Sequence, residues 1–90
     1  MAKAVVDPAE VRRFASDLKR FNTDLHSQLG QLNARFRQLG QTWRDQEHRK
    51  FAEEWDQAVR VLTRFNKVTQ EHIPFLMRKA ARAEDYLDQR

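Results

Sequence analysis

Three histidines and a pair of adjacent glutamates are the residues of this chain with the clearest chemical potential. His26, His48 and His72 could hold a transition metal or move a proton. A metal on a helical scaffold needs ligands that converge, typically through Glu-x-x-His or His-x-x-x-His spacing on one face. None of the three histidines sits in such a pattern, so they read as solvated or packed imidazoles. His72, two residues before Pro74, is the one placed for a pH-dependent role, because imidazole titrates close to neutrality. Glu53 and Glu54 are adjacent, and neighbouring residues on a helix diverge rather than face one cleft, so they read as surface charges instead of an acid and base pair. No glycine-rich loop is present to cradle a phosphate, and the scattered serines and histidines form no nucleophilic constellation. The expectation is a protein without catalytic, cofactor-binding or metal-binding residues, and not an enzyme.

Basic residues raise a second possibility. Seventeen Lys and Arg against thirteen Asp and Glu give a net charge of +4, which attracts nucleic acid, anionic lipid or an acidic protein without selecting among them. Arg12, Arg13, Lys19, Arg20, Arg35 and Arg37 crowd the first half, but Asp17 and Asp24 interrupt them. The aromatic residues follow the apolar pattern instead of forming a stacking platform for bases. A solvated charged face is therefore preferred over a nucleic-acid surface.

The elements that must carry these residues are helices. The chain has 90 residues, two glycines, two prolines and no cysteine, with a third of its residues charged. That composition favours long helices and one domain, and it excludes disulfides. No apolar run approaches the roughly 20 residues that span a membrane. The segment from Met1 to Val6 lacks the hydrophobic core of a cleaved signal, which points to a cytoplasmic location or to export without cleavage.

Asp7-Pro8-Ala9-Glu10 has the form of a helix start, with Asp7 as the cap, Pro8 in the first turn and Glu10 as the returning acid. Apolar residues then recur at Val11, Phe14, Leu18, Phe21, Leu25, Leu29, Leu32, Phe36 and Leu39, in steps of three or four. They cover an arc of roughly 80°, close to a coiled-coil seam, with a stutter at Phe21, Leu25 and Leu29. Gly30 lies inside the pattern and is read through. Gly40 ends it, and Thr42 and Asp45 have the spacing of a new cap and its reciprocal acid.

The second pattern runs through Phe51, Trp55, Ala58, Leu62, Phe65, Thr69, His72, Leu76, Ala80, Ala83 and Leu87, with Val61, Val68 and Phe75 on an adjacent row. Its apolar sector spans about 160°, twice that of the first helix. One helix cannot cover so wide a sector, so a partner is expected against it. The spacing predicts helix one over about 8–39, a turn at about 40–42 and helix two over about 43–88, with a kink near Pro74 and residues beyond about 80 overhanging. A short connection makes the helices antiparallel neighbours. The fold class is all-α, a two-helix hairpin of 1–90 that dimerises into a four-helix bundle. Val11, Phe14, Leu18, Phe21 and Leu25 are expected against the distal half of helix two. Leu32, Phe36, Leu39, Phe51, Trp55 and Leu62 are expected in a turn-proximal core, and Val61, Val68, Phe75 and Leu76 at the dimer interface.

A helical hairpin with tryptophan at its turn and Phe-x-x-x-Trp beyond it resembles the WXG family of small ESAT-like proteins. Trp43, Phe51 and Trp55 occupy the family's aromatic positions, while Asp45 stands where the family's Trp-x-Gly motif has glycine, giving Trp43-Arg44-Asp45. The chain is similar to divergent Gram-negative members that carry this triplet, an opening like Glu10 to Phe14 and an ending like Asp85 to Leu87. The resemblance implies pairing with itself as a homodimer or with a related small helical hairpin, and export by a type VII (ESX-like) secretion system, with the secretion machinery as a further partner. The family's C-terminal signal is Tyr-x-x-x-Asp/Glu; here Tyr86 is present as a remnant, but Arg90 occupies the acidic position. An intracellular helical adaptor and a basic nucleic-acid-associated hairpin are the alternatives.

Overall fold

A computed structural model describes residues 6–88 of the chain. Met1 to Val5, most of the segment expected to lack a signal peptide, and Arg90, at the C-terminal signal position, lie outside the described residues. Two helices, α1 (Pro8–Leu39) and α2 (Gln46–Asp88), pack against each other, and no strand occurs among the described residues. They run antiparallel, since Arg12 meets Glu84, Asn22 meets Thr69 and Asn33 meets Trp55.

α1 begins at the expected Asp7 cap, although Glu10 pairs with Arg13 instead of returning to the Asp7 amide. Asp7 is extended, and its carboxylate accepts the Ala9 amide at 3.0 Å while Pro8 enters the first turn. At the other end Gly40 keeps right-handed helical geometry, and the chain tightens into three-residue turns. Gln41 donates to the Gln38 carbonyl, and the amides of Thr42 and Trp43 both reach Leu39. No described residue has a positive φ, so the reversal is made without a left-handed glycine.

α2 starts three residues later than its expected position at Trp43. Its cap is Asp45, whose carboxylate accepts the His48 amide at 2.9 Å and whose carbonyl accepts Arg49 at 3.2 Å. Thr42 is not the cap; its hydroxyl turns back to the Leu39 carbonyl at 3.4 Å. The end of α1 has already claimed Thr42 and Trp43, which leaves the acid to open the next helix.

Pro74 lies inside α2 without ending it. The molecule is 68 Å long, close to the roughly 63 Å that α2 spans at 1.5 Å per residue, so the expected kink is at most shallow. Packing also extends past residue 80: Ala80 is fully buried and Glu84 grips Arg12, so the overhang is confined to the last turn.

The radius of gyration is 20.2 Å, against about 12 Å for a compact chain of this length, so the two helices wrap no common centre. Among the described residues only Ala15, Ala80 and Asn22 are buried. The rows that face each other hold Val11, Ala15, Leu18, Asn22, Leu25, Leu29, Asn33 and Phe36 on α1. On α2 they hold His48, Ala52, Trp55, Val59, Asn66, Thr69, Ile73, Leu76 and Ala80. Beyond the turn-end rings of Phe36, His48 and Trp55, small and medium residues occupy this seam because paired helices lie only about 8–10 Å apart. Many of the large side chains expected there are displaced from it: Phe14, Phe21, Leu32, Leu39, Phe51, Leu62 and Phe65 are all exposed.

Gly30 sits mid-helix with no atom within 4 Å of where a Cβ would stand. Gly30→Ala should therefore stabilise the fold by about 1 kcal/mol through helix propensity alone, read as a higher urea midpoint at constant protein concentration. A destabilised variant would show that another surface approaches that backbone.

Candidate functional site

The histidines do not converge. His26 is exposed on α1, and His72 is exposed with its Nδ1 donating to the Val68 carbonyl at 2.8 Å. His48 is half-buried at the turn, stacked on Phe36 with ring centres 5.3 Å apart and meeting Trp43 edge-on at 4.9 Å. No group of three metal-ligating side chains gathers among the described residues. Glu53 and Glu54 line only a shallow surface depression with Gln57.

Most of the turn-proximal aromatics form one cluster. Phe36 meets Phe51 and Trp55 at 5.6 Å each, and Phe51 stacks on Trp55 at 6.4 Å. The Trp55 indole donates to Asn33 Oδ1 at 2.9 Å, tying α2 to α1. Trp43 closes the end of the hairpin over His48, Arg44 reaches back to the Gly40 carbonyl at 3.1 Å, and Asp45 caps α2. The turn triplet thus acts locally, on the reversal itself.

What remains uncovered is one face. On α2, Phe51 and Phe65 and then Val61, Val68 and Phe75 lie progressively to one side of the seam, and on α1 Phe14, Phe21, Leu32 and Leu39 flank the same side. The two sets meet where Phe21 packs edge-on against Phe65 at 6.2 Å. Val61 is 64 % exposed and Phe75 48 %, whereas Leu76 is half-buried on the row facing α1. Tyr86 is exposed in the last turn of α2. The chain exposes 7708 Å², while a globular monomer of 10.8 kDa would expose about 5,500 Å².

The other side of the hairpin is polar. Arg12 holds Glu84 in a two-pronged pair at 2.7 and 2.8 Å. Arg13 and Arg20 pair with Glu10 and Asp17 along α1, so three of the basic residues singled out above are engaged by acids.

A family model matches residues 4–86, that of WXG100, described as proteins of 100 residues with WXG. The chain belongs to the WXG100 family. No curated protein and no solved structure matches it. WXG100 proteins are small, non-enzymatic helical proteins, and this member keeps their hairpin while placing Asp45 at the glycine position of the motif. The turn shows why the departure is tolerated: position 45 is a helix cap, where a carboxylate serves better than a bare backbone.

Several contributors were not apparent from the sequence. Ala15, Asn22, Asn33 and Asn66 hold the seam but are not large and apolar, and Ile73, which is, fell outside the rows read for the second helix. Their signal was the spacing of 15, 18, 22, 25 and 29, in which an asparagine fills an apolar position.

Two carboxylates make the WXG100 hairpin sensitive to acid. The His48 amide, first among its contacts, holds the Asp45 carboxyl below the ordinary range, and the Arg12 guanidinium does the same for Glu84. A carboxyl depressed in the folded state stabilises the fold above its unfolded pKa, and loses that contribution as pH falls through its folded value. Thermal midpoints should hold near neutrality and drop below the ordinary carboxylate range. Glu84→Gln together with Asp45→Asn should flatten that drop, and an unchanged acid profile would assign it to other groups.

Proposed function

We propose that this WXG100 protein is a non-enzymatic binding module that works as a homodimer, its apolar face closed against a second copy in a four-helix bundle, and that it is a substrate of a type VII (ESX-like) secretion system. The carrying observation is the uncovered face itself. Val61, Val68 and Phe75 of α2 continue the apolar surface of Phe14 and Phe21 on α1, beyond the reach of the single helix that α2 already pairs with. Apolar patches of this extent on a small protein mark an interaction site. The surface in excess of a compact monomer is about 2,200 Å², a share of which a standard interface of about 800 Å² per partner would cover.

Light scattering after size exclusion tests the pairing. A dimer whose mass is the same at low and high salt is expected, because apolar burial is not screened. A helical monomer at every concentration would overturn the homodimer and direct attention to a related hairpin as partner. Export is tested separately, by loss of the protein from the medium when the membrane ATPase of the secretion apparatus is deleted.

A further inference from the structure

The seam that α1 occupies is not the most apolar strip of α2. It mixes His48, Asn66 and Thr69 with Trp55, alanines and aliphatic residues, whereas the neighbouring strip, left more open, carries Phe51, Phe65, Val68 and Phe75. Hydrophobic burial is non-directional and grows with area, so by itself it would roll α1 by roughly 80° around α2, onto the phenylalanines.

Three polar contacts oppose that roll, one in each third of the hairpin. Arg12 forks onto Glu84 at the open end. The Thr69 hydroxyl, which also lies 2.8 Å from the Phe65 carbonyl of its own helix, meets Asn22 Oδ1 at 3.0 Å in the middle, and Trp55 donates to Asn33 Oδ1 at 2.9 Å near the turn. The middle contact is the most constraining, because Asn22 is only 3 % exposed and a buried amide deprived of its partner is costly. The same layer is imperfect: Asn22 Nδ2 and Asn66 Oδ1 are buried without partners. A polar layer in this position resembles the buried asparagines that select one helix pairing among several.

The geometry points to Asn22, Asn33 and Thr69 as specificity-determining residues for pairing. They hold α1 on the polar seam and thereby reserve the apolar strip of α2 for the partner. This rests on the reading of that strip as a partner surface. Arg12 and Glu84, more than a third exposed, assist with alignment but are open to screening.

The test is a full-length chain carrying Asn22→Leu, Asn33→Leu and Thr69→Val, followed by interhelical nuclear Overhauser contacts and by light scattering. The parent should show residue 22 against residue 69 and residue 33 against the Trp55 ring. In the variant residue 22 should move to Phe65 and residue 33 to Phe51, with helical circular dichroism retained and dimerisation weakened at least tenfold. Persistence of the parental contacts in a helical variant that dimerises normally overturns the proposal. A parent that is monomeric removes the dimer reading, while the contacts still decide which strip α1 chooses. Should the triple variant fail to fold, Thr69→Val and Thr69→Ser are compared in the same way. A shift of the residue 22 contact in the valine variant alone supports the proposal, and no shift in either overturns it.

Discussion

Val68→Asp combined with Phe75→Asp is expected to convert the proposed dimer into a helical monomer. Both side chains lie off the seam and remain 38 % and 48 % exposed, so neither belongs to the row that holds α1 against α2, and the fold has less to lose than the interface from their replacement. The interface has much to lose. Removing the two apolar groups forfeits about 1 kcal/mol each, given that half or more of each side chain is already covered in the single chain. A twofold dimer counts each substitution twice, so the loss reaches roughly 4 kcal/mol, about a thousandfold in the dissociation constant, before any carboxylate is desolvated. The introduced acids add to this, since a charge placed in an apolar contact without a partner is strongly disfavoured. Light scattering on the variant should report one chain's mass where the parent reports two, at unchanged helical content. Gln70→Asp, on the opposite side of α2, is the control and should leave assembly intact. If the double variant assembles like the parent, the partner surface lies elsewhere.

The sequence revealed the helices more completely than the face between them. Asp7-Pro8 marks the start of α1, and the apolar steps of three and four carry it through Gly30 to Leu39, because those signals are local and nothing nearby competes with them. The start of α2 was ambiguous for a physical reason. Thr42 and Asp45 are both good caps, and the choice depends on how far α1 runs before its carbonyls take the following amides. The seam was harder still. Large apolar residues identify the centre of everything a helix buries, and for α2 that centre falls between its contact with α1 and its open face. Phe51 and Phe65 therefore looked like the seam but lie beside it, while Ala52, Asn66 and Ile73 form it. The asparagines could not be ranked from an apolar template, since their roles depend on what the opposite helix offers. The candidate surface was legible as an excess: α2 had more apolar arc than one neighbour could cover.

That division of labour makes Trp55 the most consequential single residue for the fold. Its indole is half-buried where α2 faces α1, packed on Phe36 and Phe51 and bonded to Asn33, so it joins the seam, the aromatic cluster and one of the interhelical hydrogen bonds. Trp55→Ala should destabilise the protein by roughly 3 kcal/mol, the lower end of the range for a buried aromatic, because part of the ring is in water. A chain of this size has about 5–13 kcal/mol to lose, and with so few residues fully buried it should sit near the bottom of that range. Trp55→Phe separates most of the contributions: it keeps a ring against Phe36 and removes the donor to Asn33 together with part of the indole's packed area, for about 1–2 kcal/mol. Urea titrations followed by circular dichroism at one fixed protein concentration provide both values, since in the proposed dimer unfolding is coupled to dissociation and the midpoint drifts with concentration. Equal losses in the two variants would make the hydrogen bond the principal contribution of Trp55. A negligible loss in the alanine variant would mean that the hairpin is held chiefly by its partner and not by its own turn-end cluster.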